Sequence, residues 1–168
     1  MPGTTTGRLV VAALELFGAE GFSSVGVGRI AEAAGVTTGS LYHHFGSKAG
    51  LYQLVRTDVE QRVLDRLEGA AAARSVGSTA ELAPVLLIGF DYLVRSGFTR
   101  LLGEPAPEPS DGSDRDDPIE LLIGRLVPSP DPTGALIAAA WRAALWHASD
   151  GPKAARDARA ALDRLLTG

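Results

Sequence analysis

The chain has 168 residues, of which 45% are hydrophobic and 21% are charged, and its formal net charge is −4. This composition is typical of a globular protein. The absence of cysteine excludes disulfides and thiolate metal sites, and no apolar run is long enough to cross a bilayer. The N-terminus lacks the basic and apolar regions of a secretory signal. We therefore expect a cytoplasmic protein without a membrane segment.

The charge is unevenly distributed along the chain. The first 57 residues carry four basic and three acidic side chains, whereas the remainder carries 12 basic and 17 acidic ones. Only the first third is therefore suited to contact with a polyanion. A locally basic face is sufficient for such contact, because physiological salt screens charges beyond about 8 Å.

Three short helices are predicted at the front of the chain. Apolar side chains recur at helical spacing over residues 8–20. A second helix, about 27–34, ends at Gly35, and Thr37 can cap a third helix over 38–45. In this third helix Leu41 and Phe45 are four residues apart and are expected to face inward.

The rest of the chain also has helical patterns, and no segment shows sustained strand alternation. The predicted helices span about 48–73, 82–102, 119–127, 133–148 and 152–166. Pro84 is expected in the first turns of its helix, because a deeper proline would break the hydrogen-bond ladder. The Pro-, Gly- and acid-rich segment 103–118 is interpreted as a mobile, solvated loop rather than as an acidic interaction tail.

Residues 26–45 have the spacing of a helix-turn-helix motif. Ala31 is small where the two helices cross, and Gly35 provides the left-handed residue of the turn. In this motif the second helix enters the DNA major groove. The face not used by Leu41 and Phe45 carries hydroxyls, aromatic donors and no carboxylate, which suits phosphates and base edges.

The segments "ALELFGAEGF" and "IAEAAGVTTGSLYHHFGSKAGL" resemble the N-terminal domain of TetR-family transcriptional regulators. The resemblance covers about residues 8–54, roughly a third of the chain. It implies an all-α protein with a three-helix helix-turn-helix DNA-binding domain at 1–47 and a helical ligand-binding and dimerisation domain at 48–168. It also implies a homodimeric repressor that a small-molecule effector releases from a double-stranded DNA operator. We expect no cofactor.

The resemblance also assigns site residues. Thr38, Gly39, Ser40 and His43 are implied to face the groove, and Tyr42 and Lys48 to contact phosphates. His44 is implied to lie near the DNA backbone or to pack the helix, and we expect it to be half-buried. With the capping residue included, the predicted DNA-binding residues are Thr37, Thr38, Gly39, Ser40, Tyr42, His43, His44 and Lys48. A dimer with two recognition helices one DNA turn apart, roughly 34–36 Å, predicts a palindromic operator.

Two glycines depart from the family pattern. Gly26 stands where Ser or Thr usually caps the second helix, and Gly28 stands where a polar side chain is common. One phosphate contact is therefore missing, and whether Arg29 replaces it is open. An alternative hypothesis is a helical protein-binding or adaptor module with weakened DNA recognition.

Other interpretations of these motifs are weaker. His43 and His44 are adjacent, and their side chains diverge by about 100° on a helix, so we expect no shared metal. "GVGRIA" at 26–31 matches a dinucleotide-binding pattern by letter but lacks the preceding strand. We find no catalytic constellation and expect no enzyme.

The alanine-rich segment 133–148 and the helix 152–166 favour a homodimer interface of four helices. The alternative is a helix buried within a monomer. Phe90, Leu93, Trp141 and Leu145 are candidate effector-binding residues in an aromatic, apolar cavity. Plain core or dimer packing is the alternative for each of them.

Overall fold

The computed structural model describes residues 3–74, 76–105, 117–127 and 132–168, and every regular element in these ranges is helical. The helices are α1 (Thr5–Glu20), α2 (Val27–Ala33), α3 (Thr38–Phe45), α4 (Lys48–Ala72), α5 (Thr79–Ser96), α6 (Thr99–Gly103), α7 (Pro118–Leu126), α8 (Thr133–Ala148) and α9 (Pro152–Thr167). The all-α prediction is confirmed. In the described ranges no helix is both long and apolar enough to cross a membrane.

The chain divides into two compact units, Met1–Val59 and Glu60–Gly168. The dividing point lies within α4: Tyr52 of this helix packs edge-on against Phe17 of α1, and its later residue Glu68 pairs with Arg125 of α7. The predicted boundary between a DNA-binding domain at 1–47 and a ligand-binding domain at 48–168 concerns function, and it stays a prediction.

In the first unit, α1, α2 and α3 pack against one another around a small apolar core. Leu9, Phe17, Ile30 and Leu41 are fully buried there. The turn between α2 and α3 depends on Gly35, whose φ of 62° is a conformation that side chains with a Cβ rarely adopt. The predicted helix-turn-helix geometry is therefore present.

The predicted helix 82–102 is wrong in both its start and its continuity. It begins earlier because Ser78 caps α5, accepting a hydrogen bond from the Glu81 N–H at 3.3 Å. Pro84 therefore lies in the second turn of α5. The helix ends at Gly97, which has φ 75°, and a separate short helix, α6, follows. A left-handed glycine at this position closes one helix and redirects the chain into the next.

The predicted loop 103–118 is also too long at both ends. Gly103 is the last residue of α6, and Pro118 is the first residue of α7. Asp117 caps α7, because its Oδ1 accepts hydrogen bonds from the N–H of Ile119 at 2.9 Å and of Glu120 at 3.4 Å. The interior of the predicted loop, 106–116, lies outside the described residues.

In the second unit α8 is the central element, because it packs against α5, α6, α7 and α9. Trp141 of α8 is fully buried, and its Nε1 donates a hydrogen bond to the carbonyl of Leu86 at 3.0 Å. Gly89 of α5 faces this indole so closely that an added Cβ would lie 3.3 Å from it. The bounds of α8 agree with the prediction, and α9 extends one residue further than predicted.

Candidate nucleic-acid interface

The start of α3 is fixed by a local hydrogen-bond cap. Thr37 Oγ1 accepts a hydrogen bond from the Ser40 N–H at 3.3 Å and lies 3.1 Å from the Ser40 hydroxyl. The buried Leu41 anchors the helix to the core from its opposite side. The first-turn hydroxyls of Thr37 and Ser40 are therefore engaged with each other, and they hold the rest of α3 in a fixed register.

Beyond this cap, α3 presents a polar outer face. The exposed predicted residues are Thr38, Gly39, Tyr42, His43 and His44. Tyr42 is 53% exposed, which is unusual for a large aromatic side chain without a covering partner. No carboxylate lies on α3. This face can donate to phosphate oxygens and base edges without repelling the backbone of a nucleic acid.

The prediction that His44 is half-buried is wrong. His44 is exposed, and its ring packs edge-on against His43 at 5.1 Å between centroids. Its neighbour Phe45, at the end of α3, is half-buried instead. Because α3 stops at Gly46, the last turn cannot bury both His44 and Phe45 on the single side that faces the core.

Lys48 has an internal role that the sequence did not indicate. Its Nζ donates hydrogen bonds to the carbonyls of Phe22 at 2.9 Å and Val25 at 3.1 Å, and it lies 4.1 Å from the centre of the Phe22 ring. These carbonyls compensate a cation at the unfavourable, N-terminal end of α4. An ammonium carries three N–H donors, so a phosphate contact by Lys48 stays a prediction alongside this role.

Sequence reasoning also missed an ion pair beside the helix-turn-helix. Arg29 Nη1 and Nη2 donate to the two carboxylate oxygens of Glu20 at 2.5 and 2.8 Å. These hydrogen bonds lower the pKa of the Glu20 carboxyl below its ordinary value. The two residues are nine positions apart on different helices, so no helical spacing rule could have paired them.

The predicted effector-binding residues lie in the second unit. Phe90 and Leu93 of α5 and Trp141 and Leu145 of α8 are at most 1% exposed. The α5–α8 packing brings them into one apolar core region. A role in binding an effector stays a prediction for all four.

Comparisons with known proteins agree with the geometry of the first unit. Residues 9–55 match the family model described as bacterial regulatory proteins, tetR family. The HTH-type transcriptional regulatory protein RaaS of Mycobacterium tuberculosis is 42% identical over 98 residues, covering 55% of this chain and 45% of that protein. The HTH-type transcriptional regulator AcrR of Shigella flexneri is 33% identical over 84 residues, covering 50% and 39%. The chain thus matches less than half the length of either curated relative.

Solved structures extend the likeness to the whole fold. A crystal structure of a TetR-family transcription regulator from Shewanella sp. PV-4 superposes with a TM-score of 0.68 at 23% identity, covering 97% of this chain and 96% of that one. NalD of Pseudomonas aeruginosa, described as the secondary repressor of a multidrug efflux pump, gives a TM-score of 0.59 at 23% identity, covering 98% and 94%. The curated relatives are named as regulators and not as enzymes. The first unit of this chain thus contains a helix-turn-helix region of the type found in bacterial regulatory proteins of the tetR family, and the fold as a whole is similar to that of solved TetR-family structures.

Proposed function

We propose that the protein is a sequence-specific DNA-binding transcriptional regulator, and that it acts as a homodimeric repressor released from its operator by a small molecule. One observation carries the DNA-binding part of the proposal. The outer face of α3 is polar, exposed and free of carboxylates, while Leu41 anchors the same helix to the core. This is the arrangement with which a recognition helix enters the major groove.

The exposed side chains of α3 divide into two roles. The Tyr42 hydroxyl is a phosphate donor, since phosphate contacts fix the register of a protein on DNA without reading sequence. His43 and Thr38 are the side chains that contact base edges. Thr37 and Ser40 act mainly through the cap that orients the helix, because their hydroxyls already face each other at 3.1 Å.

We predict different consequences for two single substitutions on α3. Tyr42→Phe should weaken binding by about 1–3 kcal/mol on every DNA sequence, because it removes one charge-assisted hydrogen bond. His43→Ala should instead reduce discrimination between bases by about 1–3 kcal/mol. Fluorescence anisotropy with matched and scrambled duplexes measures both effects. Tyr92→Phe, which changes a tyrosine of the second unit, is the control and should leave binding unchanged.

The outer stripe of α8 supports the dimer. Leu136 is 67% exposed and Trp146 is 43% exposed, and the exposed residues between them on this face are Ala139 and Ala143. No formally charged side chain interrupts these four positions. Leu165 of the adjacent α9 is also exposed, at 65%. Small residues flanked by large apolar ones permit close packing of a second copy across a two-fold axis.

A charge placed on this stripe should separate the subunits. Leu136→Glu combined with Leu165→Glu is expected to weaken dimerisation by at least about 100-fold, because each interface would bury unpaired carboxylates. Leu121→Glu is the matched control, since Leu121 lies on α7 and is 52% exposed. Sedimentation velocity at micromolar concentration measures the change. A monomeric wild-type protein, or a double variant that stays dimeric, would contradict the interface.

Release by a small molecule is the third part of the proposal. The apolar cluster of Phe90, Leu93, Trp141 and Leu145 lies at the centre of the second unit, and an apolar effector bound there would act by separating α5 from α8. Screening apolar small molecules for release of a labelled operator tests this part. If no compound shifts the affinity for DNA, the ligand-responsive mechanism is rejected while DNA binding stands.

One observation favours the alternative of an adaptor module with weakened DNA recognition. Gly26 and Gly28 leave open space at the start of α2, and the nearby Arg29 is paired with a carboxylate. The salt dependence of binding separates the two functions. A DNA-binding protein releases counterions and loses affinity steeply as salt rises, whereas an adaptor that binds a protein need not do so.

A further inference from the structure

The Glu20–Arg29 ion pair joins the last residue of α1 to the first turn of α2. Both carboxylate oxygens of Glu20 accept hydrogen bonds from the two terminal nitrogens of Arg29. The pair lies at the surface, with the side chains 35% and 53% exposed. An exposed ion pair of this kind is held weakly, so Arg29 can exchange one anionic partner for another at little cost.

Arg29 differs from the other basic side chains of the first unit. Lys48 is bonded to two backbone carbonyls, Arg8 lies 3.4 Å from the Gly35 carbonyl oxygen, and Arg56 is only 5% exposed. Arg29 alone combines a location on α2 with high exposure and an ionic partner.

Arg29 lies on the helix of the motif that is expected to pass closest to the DNA backbone. The first helix of a helix-turn-helix crosses the DNA backbone while the second enters the groove. Gly26 and Gly28 bring no side chain to the start of α2, and nothing lies within 4 Å of where their Cβ atoms would be. Among the first three residues of α2, therefore, Arg29 is the only one whose side chain can reach a phosphate.

We propose that Glu20 restrains the DNA affinity of this protein by neutralising Arg29, its phosphate-contacting residue on α2. This inference rests on the proposed DNA-binding function. If Arg29 stays with Glu20, the pair is neutral and releases no counterion from the DNA. If Arg29 moves to a phosphate, it leaves the Glu20 carboxylate uncompensated beside a polyanion. The affinity for DNA is lowered in both cases. Removal of the Glu20 carboxylate should therefore raise it.

The test replaces Glu20 with glutamine, which keeps the size of the side chain and removes its charge. Glu20→Gln is expected to tighten binding to the selected DNA site by at least about threefold and to steepen the plot of log affinity against log salt by about 0.9, the value for one further phosphate contact. Glu15→Gln is the matched control. It removes the same charge from an exposed position of α1 and leaves the Arg29 pair intact.

A second variant shows whether the tighter DNA binding of Glu20→Gln depends on Arg29. In the Glu20→Gln background, Arg29→Ala should abolish both the tighter binding and the steeper salt dependence. In the wild-type background, the same substitution should change affinity less. The inference is overturned if Glu20→Gln behaves like Glu15→Gln, or if its gain survives the loss of Arg29.

The proposed function fails in a different way from this inference. If the wild-type protein shows no site-specific, salt-dependent binding to DNA, the DNA-binding proposal itself is rejected, and the inference with it. If the wild-type protein binds its site and only the Glu20 variant fails to improve on it, the restraint by Glu20 is rejected and the DNA-binding function stands.

Discussion

Replacement of Arg142 by methionine is expected to lower the free energy of unfolding by about 3 kcal/mol, because it removes the cation that pairs with the partly buried carboxylates of Asp117 and Glu60. Arg142 lies on α8, and its side chain is 17% exposed. Methionine has a similar length but no charge, so it tests the ionic contacts more than the packing. Urea unfolding monitored by circular dichroism measures the loss.

The contacts of Arg142 explain why this effect is large. Its Nε and Nη2 each lie 2.8 Å from an oxygen of Asp117, Nη2 also lies 3.3 Å from Glu60, and Nη1 donates to the carbonyl of Leu102 at 3.0 Å. One guanidinium thus connects α4, α6 and α8 to the residue that caps α7. A bidentate Arg–carboxylate pair with additional acceptors is the geometry in which burial of charge is best compensated.

An exposed ion pair in the same unit is the matched control. Arg125 of α7 lies 3.0 Å from Glu68, but the two side chains are 66% and 52% exposed. Arg125→Met should therefore cost about 0–1 kcal/mol. If Arg142→Met is no more destabilising than Arg125→Met, the interpretation that the partly buried Arg142 connects these helices is wrong.

The pH dependence of this stabilisation follows from Asp117. Burial acts to raise the pKa of its carboxyl, but the hydrogen bonds and positive charge of Arg142 outweigh burial, and the pKa lies below its ordinary value. A lowered pKa in the folded state stabilises the protein fully above the unfolded value of about 3.9. The difference in stability between wild type and Arg142→Met should therefore shrink as the pH falls from 4 through the lowered pKa.

Trp141→Ala is expected to destabilise the second unit by about 3–5 kcal/mol, because it removes the largest fully buried side chain and leaves a cavity. The surroundings cannot easily close around that cavity. Gly89 already packs so tightly that an added Cβ would lie 2.8 Å from Leu67, and α5 and α8 are both continuous helices here. The indole also loses its hydrogen bond to the Leu86 carbonyl.

This substitution also shows whether the region around Trp141, the proposed effector site, is packed or is a preformed empty cavity when no ligand is bound. A residue that lines an empty binding cavity would cost little stability when truncated, whereas a packed core residue costs several kcal/mol. Thermal unfolding without added ligand measures the difference. Leu121→Ala is the control, because the Leu121 side chain of α7 is exposed, and its expected effect is below about 0.5 kcal/mol. A small effect of Trp141→Ala would contradict the packed-core account.

The first unit was predictable because its signals are local. Thr37 caps α3, Gly35 makes the turn, and Leu41 lies on the inner face. Each of these features could be predicted from neighbouring residues alone. The error at Gly97 arose because apolar spacing continues across it, and a glycine inside a helical pattern does not by itself reveal whether the helix ends. The burial of His44 was predicted wrongly because only one of two adjacent side chains can face the core at the end of α3, and that side chain is Phe45.

The charged contacts were not predictable for a different reason. Arg142 and Asp117 are 25 positions apart, and Arg29 and Glu20 are nine apart on separate helices. Their pairing depends on how helices pack, which periodicity does not encode. The contacts of Lys48 could not be predicted for the same reason, since the carbonyls that it binds belong to the connection between α1 and α2. Sequence therefore indicated the recognition helix but not the residues that hold or restrain it.

The most direct test of the central proposal is to select a DNA site in vitro and to titrate the wild-type protein against that site and a scrambled duplex at several salt concentrations. Sequence-specific recognition by α3 predicts a palindromic site, bound at least about a thousandfold more tightly than the scrambled duplex. It also predicts that the logarithm of the affinity falls linearly with the logarithm of the salt concentration. Equal affinity for the two duplexes, or affinity that does not respond to salt, would contradict the proposal.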